Sequence, residues 1–267
     1  NRIPFWQRAY LQKRDRQELI FCLKTAIDDF KRISSKFHVV FIDFTDAFGS
    51  VKHEYIFETL QDLGIPYSLL CIIEDIYKHS SFQVFCKEGL SKKYFIIRGT
   101  KTGDPLSGLI FLVVVDRVCK PMVSSALINA NLQNEQRLNP IPVLCFADDI
   151  SSLSYKLNVM KEMMASAEPE MTRAGLSVKA RKCAVLYDRR SGNNWYKGKN
   201  DQIPIIKVQD KVLPVLKRNE PYKYLGKSLT IAGEDPDQVD NFIEKYITLL
   251  DKIAACNLPL SEGKCSK

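Results

Sequence analysis

An α+β fold, a sheet carrying helices on one face, is what this sequence predicts. Three observations lead to it. Segments with helical apolar spacing and short β-branched or aromatic runs both recur, without the regular strand–helix–strand alternation of a parallel sheet. No internal repeat or low-complexity tract interrupts them. Two of the strand-like runs, FHVVFIDF and PVLCFADDISSLS, carry apolar residues straight into aspartate.

The elements follow in order. From Gln17 to Ile33, the residues Leu19, Ile20, Leu23, Ala26, Ile27 and Phe30 recur at helical spacing. A buried strand over His38–Phe44 comes next. Helices are expected over Glu54–Leu63 and Tyr67–Lys78, with Gly64 as stop and Pro66 as start. FQVFCKEGLSKKYFIIRG reads as a hairpin turning at Glu88-Gly89. Pro105 opens a long apolar helix, LSGLIFLVVVDRVCKPM, and Asn129–Pro142 is a polar loop. Strand character returns on both sides of Ala147-Asp148-Asp149. Lys156–Arg173 is helical and ended by Gly175; Cys183–Tyr187 is a short strand, and residues 188–204 are a loop. KYLGKSLTI supplies a late strand and Val239–Ala254 a final helix.

Composition narrows the function. The 267 residues, 45% hydrophobic and 26% charged, suit a globular protein with a real core. A net charge of +8 suits a polyanionic partner such as nucleic acid. The eight cysteines form no CxxC pair and lie away from the three histidines, which argues for reduced thiols in an intracellular protein rather than a disulfide framework or structural zinc. NRIPFWQRAYLQKRDRQ is neither a signal nor a transit peptide. The strongest apolar run, Leu106–Val115, is too short to cross a bilayer, so no membrane role is expected. A start without Met and an end in EGKCSK suggest a piece of a longer chain.

The acids carry the chemistry. Neighbouring side chains on a regular strand point to opposite faces, so Asp148 and Asp149 can serve one site only from a hairpin tip. A third carboxylate, Asp43, ends the other strand of the same character. Such acids become sensible beside a divalent cation. Mg²⁺ takes oxygen ligands, and a pair of ions about 3.5–4 Å apart can clamp an in-line phosphoryl displacement. Between the acids lies RGTKTGDPLSG, whose Gly99 and Gly103 allow close backbone approach to a ligand, with Asp104-Pro105 as a helix start. It is not a Walker loop.

FIDFTDAFGSV, GTKTGDPLS, CFADD, GLSVKARKC and YKYLG resemble, in order and spacing, the successive motifs of reverse transcriptases, in particular the non-LTR retrotransposon type. The likeness spans Val39 to Leu229. It implies a right-hand polymerase: partial fingers over residues 1–36, a palm over 37–235 with a fingers insertion at about 53–100, and the start of a thumb over 236–267. The implied activity is RNA-directed DNA synthesis from dNTPs on an RNA template and a DNA primer, for target-primed retrotransposition, as a ribonucleoprotein of nucleus or cytoplasm. Two Mg²⁺ ions are the implied cofactor, with Mn²⁺ as substitute, and the oligomeric state stays open.

Residue by residue, the resemblance makes Asp43 and Asp148 ligands of both metals, with Asp149 beside the primer end and Lys182 facing the leaving pyrophosphate. Phe48 becomes the ring that excludes a ribose 2′-hydroxyl. Phe44, Thr45, Asp46 and Ala47 complete the nucleotide site with Thr102 and Gly103. Gly99, Thr100 and Lys101 line the template pair, Arg14 with its basic neighbours meets the template backbone or triphosphate, and Tyr222, Tyr224, Leu225 and Gly226 grip the primer. Thr102 stands where Gln is usual, Gly49 where Asp is, and Lys179 and Cys183 where Asn and Ser/Thr are. These departures leave a catalytically silent nucleic-acid scaffold as the alternative. The intact acids oppose it, and Phe48 opposes an RNA-dependent RNA polymerase.

Overall fold

The structure is a computed structural model that describes residues 6–11, 15–33, 36–87, 89–101, 103–132, 141–191, 194–195, 203–217 and 220–229. Its helices are α1 (Arg16–Ile33), α2 (Ala47–Ser50), α3 (His53–Asp62), α4 (Tyr67–Lys78), α5 (Pro105–Leu132) and α6 (Leu157–Ala174). Its longer strands are β1 (Lys36–Ile42), β6 (Val143–Phe146), β7 (Asp149–Ser154) and β8 (Ala184–Ser191). The shorter ones are β2 (Ser81–Phe82), β3 (Phe85–Cys86), β4 (Gly89–Leu90), β5 (Tyr94–Phe95), β9 (Asn194–Trp195), β10 (Lys207–Val208), β11 (Lys211–Val212), β12 (Tyr222–Tyr224) and β13 (Lys227–Leu229). The chain divides into two compact units, residues 1–217 and 218–267.

A five-stranded sheet in the order β6-β7-β1-β8-β9 forms the centre of the first unit, and every pairing in it is antiparallel. Val40 and Ile42 belong to one core with Val114, Val118, Met163 and Met171 of α5 and α6. Strand alternation therefore turns Phe37, Val39 and Phe41 to the opposite face, where they are equally buried and α1 packs against β1 and β6. Helices on one face were expected; both faces are covered. That double burial explains why VVFI is continuously apolar instead of alternating.

Most expected elements stand within a residue or two of their places, and the differences have causes. β1 stops at Ile42, short of the expected Phe44, because the Asp43 carbonyl turns away to accept the Lys179 N–H at 2.9 Å. The helix from Pro105 continues through Pro121 and past Asn129, into the expected loop. Asn129 Nδ2 donates to the Ser125 carbonyl at 2.9 Å and to Glu162 of α6 at 2.8 Å, fastening the extra turn to its neighbour. β8 runs to Ser191 through the expected 188–204 loop because Lys36 and Phe37 pair with Arg189 and Asp188. Gly175 ends α6 as expected, at φ 83°, with the Ser50 carbonyl 2.7 Å from where a Cβ would lie.

The 81–95 hairpin forms as two nested ladders, β2–β5 and β3–β4, with Gly89 opening β4 rather than sharing the turn. KYLGKSLTI is a second hairpin rather than a single strand: Leu225 and Gly226, at φ 49° and 86°, turn β12 into β13. The β10–β11 hairpin had no counterpart in the sequence reading. The expected final helix over residues 239–254 lies outside the described residues. No helix among the described residues is long and apolar enough to cross a membrane.

Candidate active site

The acid motif folds as a tight hairpin. Phe146 pairs with Asp149, so Ala147 and Asp148 alone form the turn, and Asp149 opens β7. Ala147 takes φ 55°, and a positive φ at the first turn position matches the right-handed twist of the flanking strands. Ile42 pairs with Ile150 in the β1–β7 ladder. One further step along that antiparallel register sets Asp43, just past β1, beside Asp149. Three acids separated by about a hundred residues of chain thus meet at one end of two adjacent central strands.

The backbone of Asp43 is held from the other side. Lys179 N–H donates to its carbonyl at 2.9 Å, and its own N–H donates to Cys183 Sγ at 3.3 Å. This clamp carries Lys182, whose Nζ lies 3.9 Å from Asp43 Oδ2. The β10–β11 hairpin buttresses the clamp. Gln209 accepts the Val178 N–H and donates to the Leu176 carbonyl, both at 2.8 Å, and Lys211 Nζ donates to the Val178 carbonyl at 2.7 Å.

Burial pushes the Asp148 carboxyl above its ordinary range, and Asp43 pushes the same way against the pull of Lys182. Asp149 is raised to about 6 by burial, then by Asp148 and Asp43, with Lys182 again opposing. The site therefore gathers more negative charge than one lysine balances. Among the described residues no three His, Cys, Asp or Glu side chains enclose a metal by themselves. The donor set nevertheless fits a hard cation such as Mg²⁺, which uses one or two carboxylates and completes its shell with water and phosphate oxygens.

A second strap ties other candidates to one another. Phe44 is buried, and its backbone bridges to Val178. The exposed Thr45 spends its N–H on the Ser177 carbonyl at 2.8 Å. Asp46, exposed and at φ 44°, precedes α2 without a side-chain capping bond, and Ala47 is buried. Phe48 is half-buried and stacked on Phe111, centroids 3.9 Å apart and planes 19° apart. Onto this turn the chain from Arg98 is tied: Gly99 N–H donates to the Val51 carbonyl at 2.6 Å and Thr100 N–H to the Phe48 carbonyl at 2.8 Å. Gly99 has φ +85°, and a Cβ there would lie 2.7 Å from the Gly49 Cα. Thr100 is buried, Lys101 half-buried and Gly103 exposed.

Thr102 and Arg14 lie outside the described residues. Tyr222, Tyr224, Leu225 and Gly226 form the β12–β13 hairpin of the second unit, with Tyr224 buried. Three residues near the site were missed from the sequence. His53 Nε2 lies 3.0 Å from the Gly99 carbonyl, and Cys183 grips Asp43. Tyr10 carries a hydroxyl whose ionisation is opposed by burial and then by Asp148. Only Cys183 carried a signal, as a departure from the resembled pattern; the others answer to tertiary proximity alone.

The chain is similar to polymerase polyproteins of mobile elements. It is 29% identical over 220 residues to the retrovirus-related Pol polyprotein from type-1 retrotransposable element R2 of Popillia japonica, covering 82% of this chain and 30% of that protein. To the Pol polyprotein from type-2 retrotransposable element R2DM of Drosophila melanogaster it is 26% identical over 196 residues, 73% of this chain and 18% of that one. It thus spans less than a third of the length of either. Among solved structures, telomerase from Candida tropicalis, in complex with the TWJ fragment of telomeric RNA, superposes with a TM-score of 0.54 at 12% identity, covering 86% of this chain and 33% of that one. This likeness is one of fold, and the antiparallel sheet between helices is a polymerase palm. The motifs quoted from the sequence fall inside residues 1–229, the span that matches the family described as reverse transcriptase (RNA-dependent DNA polymerase), and the chain belongs to that family.

Proposed function

We infer that this chain carries the polymerising centre of an RNA-directed DNA polymerase of a non-LTR mobile element, extending a DNA primer on an RNA template with dNTPs. The supporting observation is that Asp43, one residue past the Ile42–Ile150 pair, acts electrostatically on Asp149 together with Asp148, with Lys182 Nζ 3.9 Å from Asp43. Asp43 and Asp148 would hold the two Mg²⁺ ions, with Asp149 beside the primer end. Bound there, Mg²⁺ supplies Lewis-acid stabilisation of the phosphoryl oxygens. The chain's own part is to orient and to exclude. Lys182 offers a cation, and a proton, to the departing pyrophosphate. Phe48, stacked face-on against Phe111, would stand in the way of a 2′-hydroxyl. The 99–103 segment lines the template pair, and the 222–226 hairpin grips the primer. Fingers over 1–36 and 53–100, palm over 37–235 and thumb over 236–267 complete the reading.

Primer extension on an RNA template tests it. The folded chain with Mg²⁺ and dNTPs should lengthen the primer, and D148N should lower the rate by at least about a hundredfold, the scale of losing one preorganised electrostatic group. F48A should admit ribonucleotides. A wild-type rate in D148N, or no product from a folded, RNA-binding chain, rejects the assignment.

A further inference from the structure

Residues 81–95 form a narrow ribbon that leaves its apolar side chains uncovered. Phe85 is 85% exposed, Leu90 64%, Phe95 61% and Phe82 51%. Phe82 stacks on Tyr94 across the ladder, centroids 5.5 Å apart, while Ser81 pairs with Phe95 on the other face. Rings therefore stand on both faces, and two ladders of two residues each cannot bury both.

The charges around these rings indicate what covers them. Lys92 Nζ lies 5.3 Å from the Tyr94 ring centre and Lys93 Nζ 5.6 Å from that of Phe95. Over residues 81–98 the sequence places Lys87, Lys92, Lys93 and Arg98 against the single acid Glu88. An apolar protein surface would have to desolvate those cations without pairing them. A single nucleic-acid strand meets both needs, its bases taking the ring faces and its phosphates the ammonium groups. The ribbon also leads directly into the strap beside Phe48, because Arg98 bridges to Lys52 and Gly99 bonds to Val51.

We propose that the 81–95 ribbon is a stacking platform for unpaired template RNA approaching the acid site, a role that rests on the polymerase reading above. Its residues lie outside the acid and nucleotide machinery, so the two can be tested apart.

Fluorescence anisotropy of the full chain with labelled oligouridylate of about 20 nucleotides, longer than one such platform, reads the ribbon. The double variant F85A/F95A should bind about tenfold or more weakly, since each stacked base contributes substantially. K92Q/K93Q should reduce the slope of log affinity against log salt by about 1.4, at roughly 0.7 per phosphate on a single strand. Both variants should extend a primer over a one-nucleotide template overhang at the wild-type rate. Wild-type RNA affinity and salt slope in both variants, with normal extension, overturns the platform and spares the polymerase. Weakened RNA binding alongside a wild-type chain that extends nothing removes the polymerase and leaves an RNA surface. Loss of affinity for single-stranded DNA alone, or loss of self-association in sedimentation with RNA binding intact, assigns the ribbon to another occupant and overturns the proposal.

Discussion

At the scale of single residues, the site is defined by charges placed where the rest of the fold would reject them. Asp149 is raised to about 6 from an ordinary 3.8, first by burial and then by Asp148 and Asp43. Between those two values the folded chain binds more protons than the unfolded chain. Stability therefore falls as pH rises through that window. D149N should flatten this dependence and raise the melting temperature near pH 7.5, measured by thermal melts from pH 4 to 8 without metal. A variant that melts lower than wild type at pH 7.5 would mean that Asp149 is already compensated. If the acids hold a cation as proposed, extension by the wild type should decline as pH drops below about 6, because carboxyls bind a cation only when ionised. The pairing of apolar run and acid at Asp43 and at Asp148-Asp149 was legible in the sequence. Which acid sits in the turn was not, because adjacent aspartates are alike until strand pairing chooses the two-residue loop.

At the scale of elements, short straps do most of the positioning. The α2 turn, the 98–101 segment and the 176–183 connector are each fixed by backbone hydrogen bonds to a distant part of the chain. Gly99 is constrained, at φ +85° with the Gly49 backbone in the space a side chain would need. G99A should lower stability by about 1–2 kcal/mol from the left-handed backbone alone, read as a shift in the urea midpoint. Extension should fall at least about tenfold as the strap leaves Phe48. An unchanged midpoint and rate would mean the strap is not under constraint. Helices α3, α4 and α6 were readable because caps and apolar spacing are local. The β10–β11 hairpin and the far half of β8 were not, since Gln209 and Lys36 stabilise them through partners remote in sequence.

At the scale of the whole described molecule, α3, α5 and α6 are joined by a pair of cations, Arg117 and Arg173. Arg117 lies 3.1 Å from Asp62, 3.4 Å from Glu170 and 3.9 Å from Glu58, over the Tyr55 ring at 4.8 Å. With most of its side chain covered, its loss would leave Asp62 without its cation and Glu58 and Glu170 to Arg173 alone. R117M should destabilise the chain by about 1–2 kcal/mol in urea unfolding, and a cost below about 0.5 kcal/mol would show the helices hold without it. None of this was visible in the sequence, where Arg117 is one charge in an apolar helix. By itself the sequence determined the family, the order of the elements and the acids, because motif spacing and apolar period are properties of the chain read locally. Only the tertiary structure decided that Asp43 faces Asp149, that Cys183 clamps it and that both sheet faces are buried. Strand register and backbone straps join residues about a hundred positions apart, and no local pattern encodes which partner each will meet.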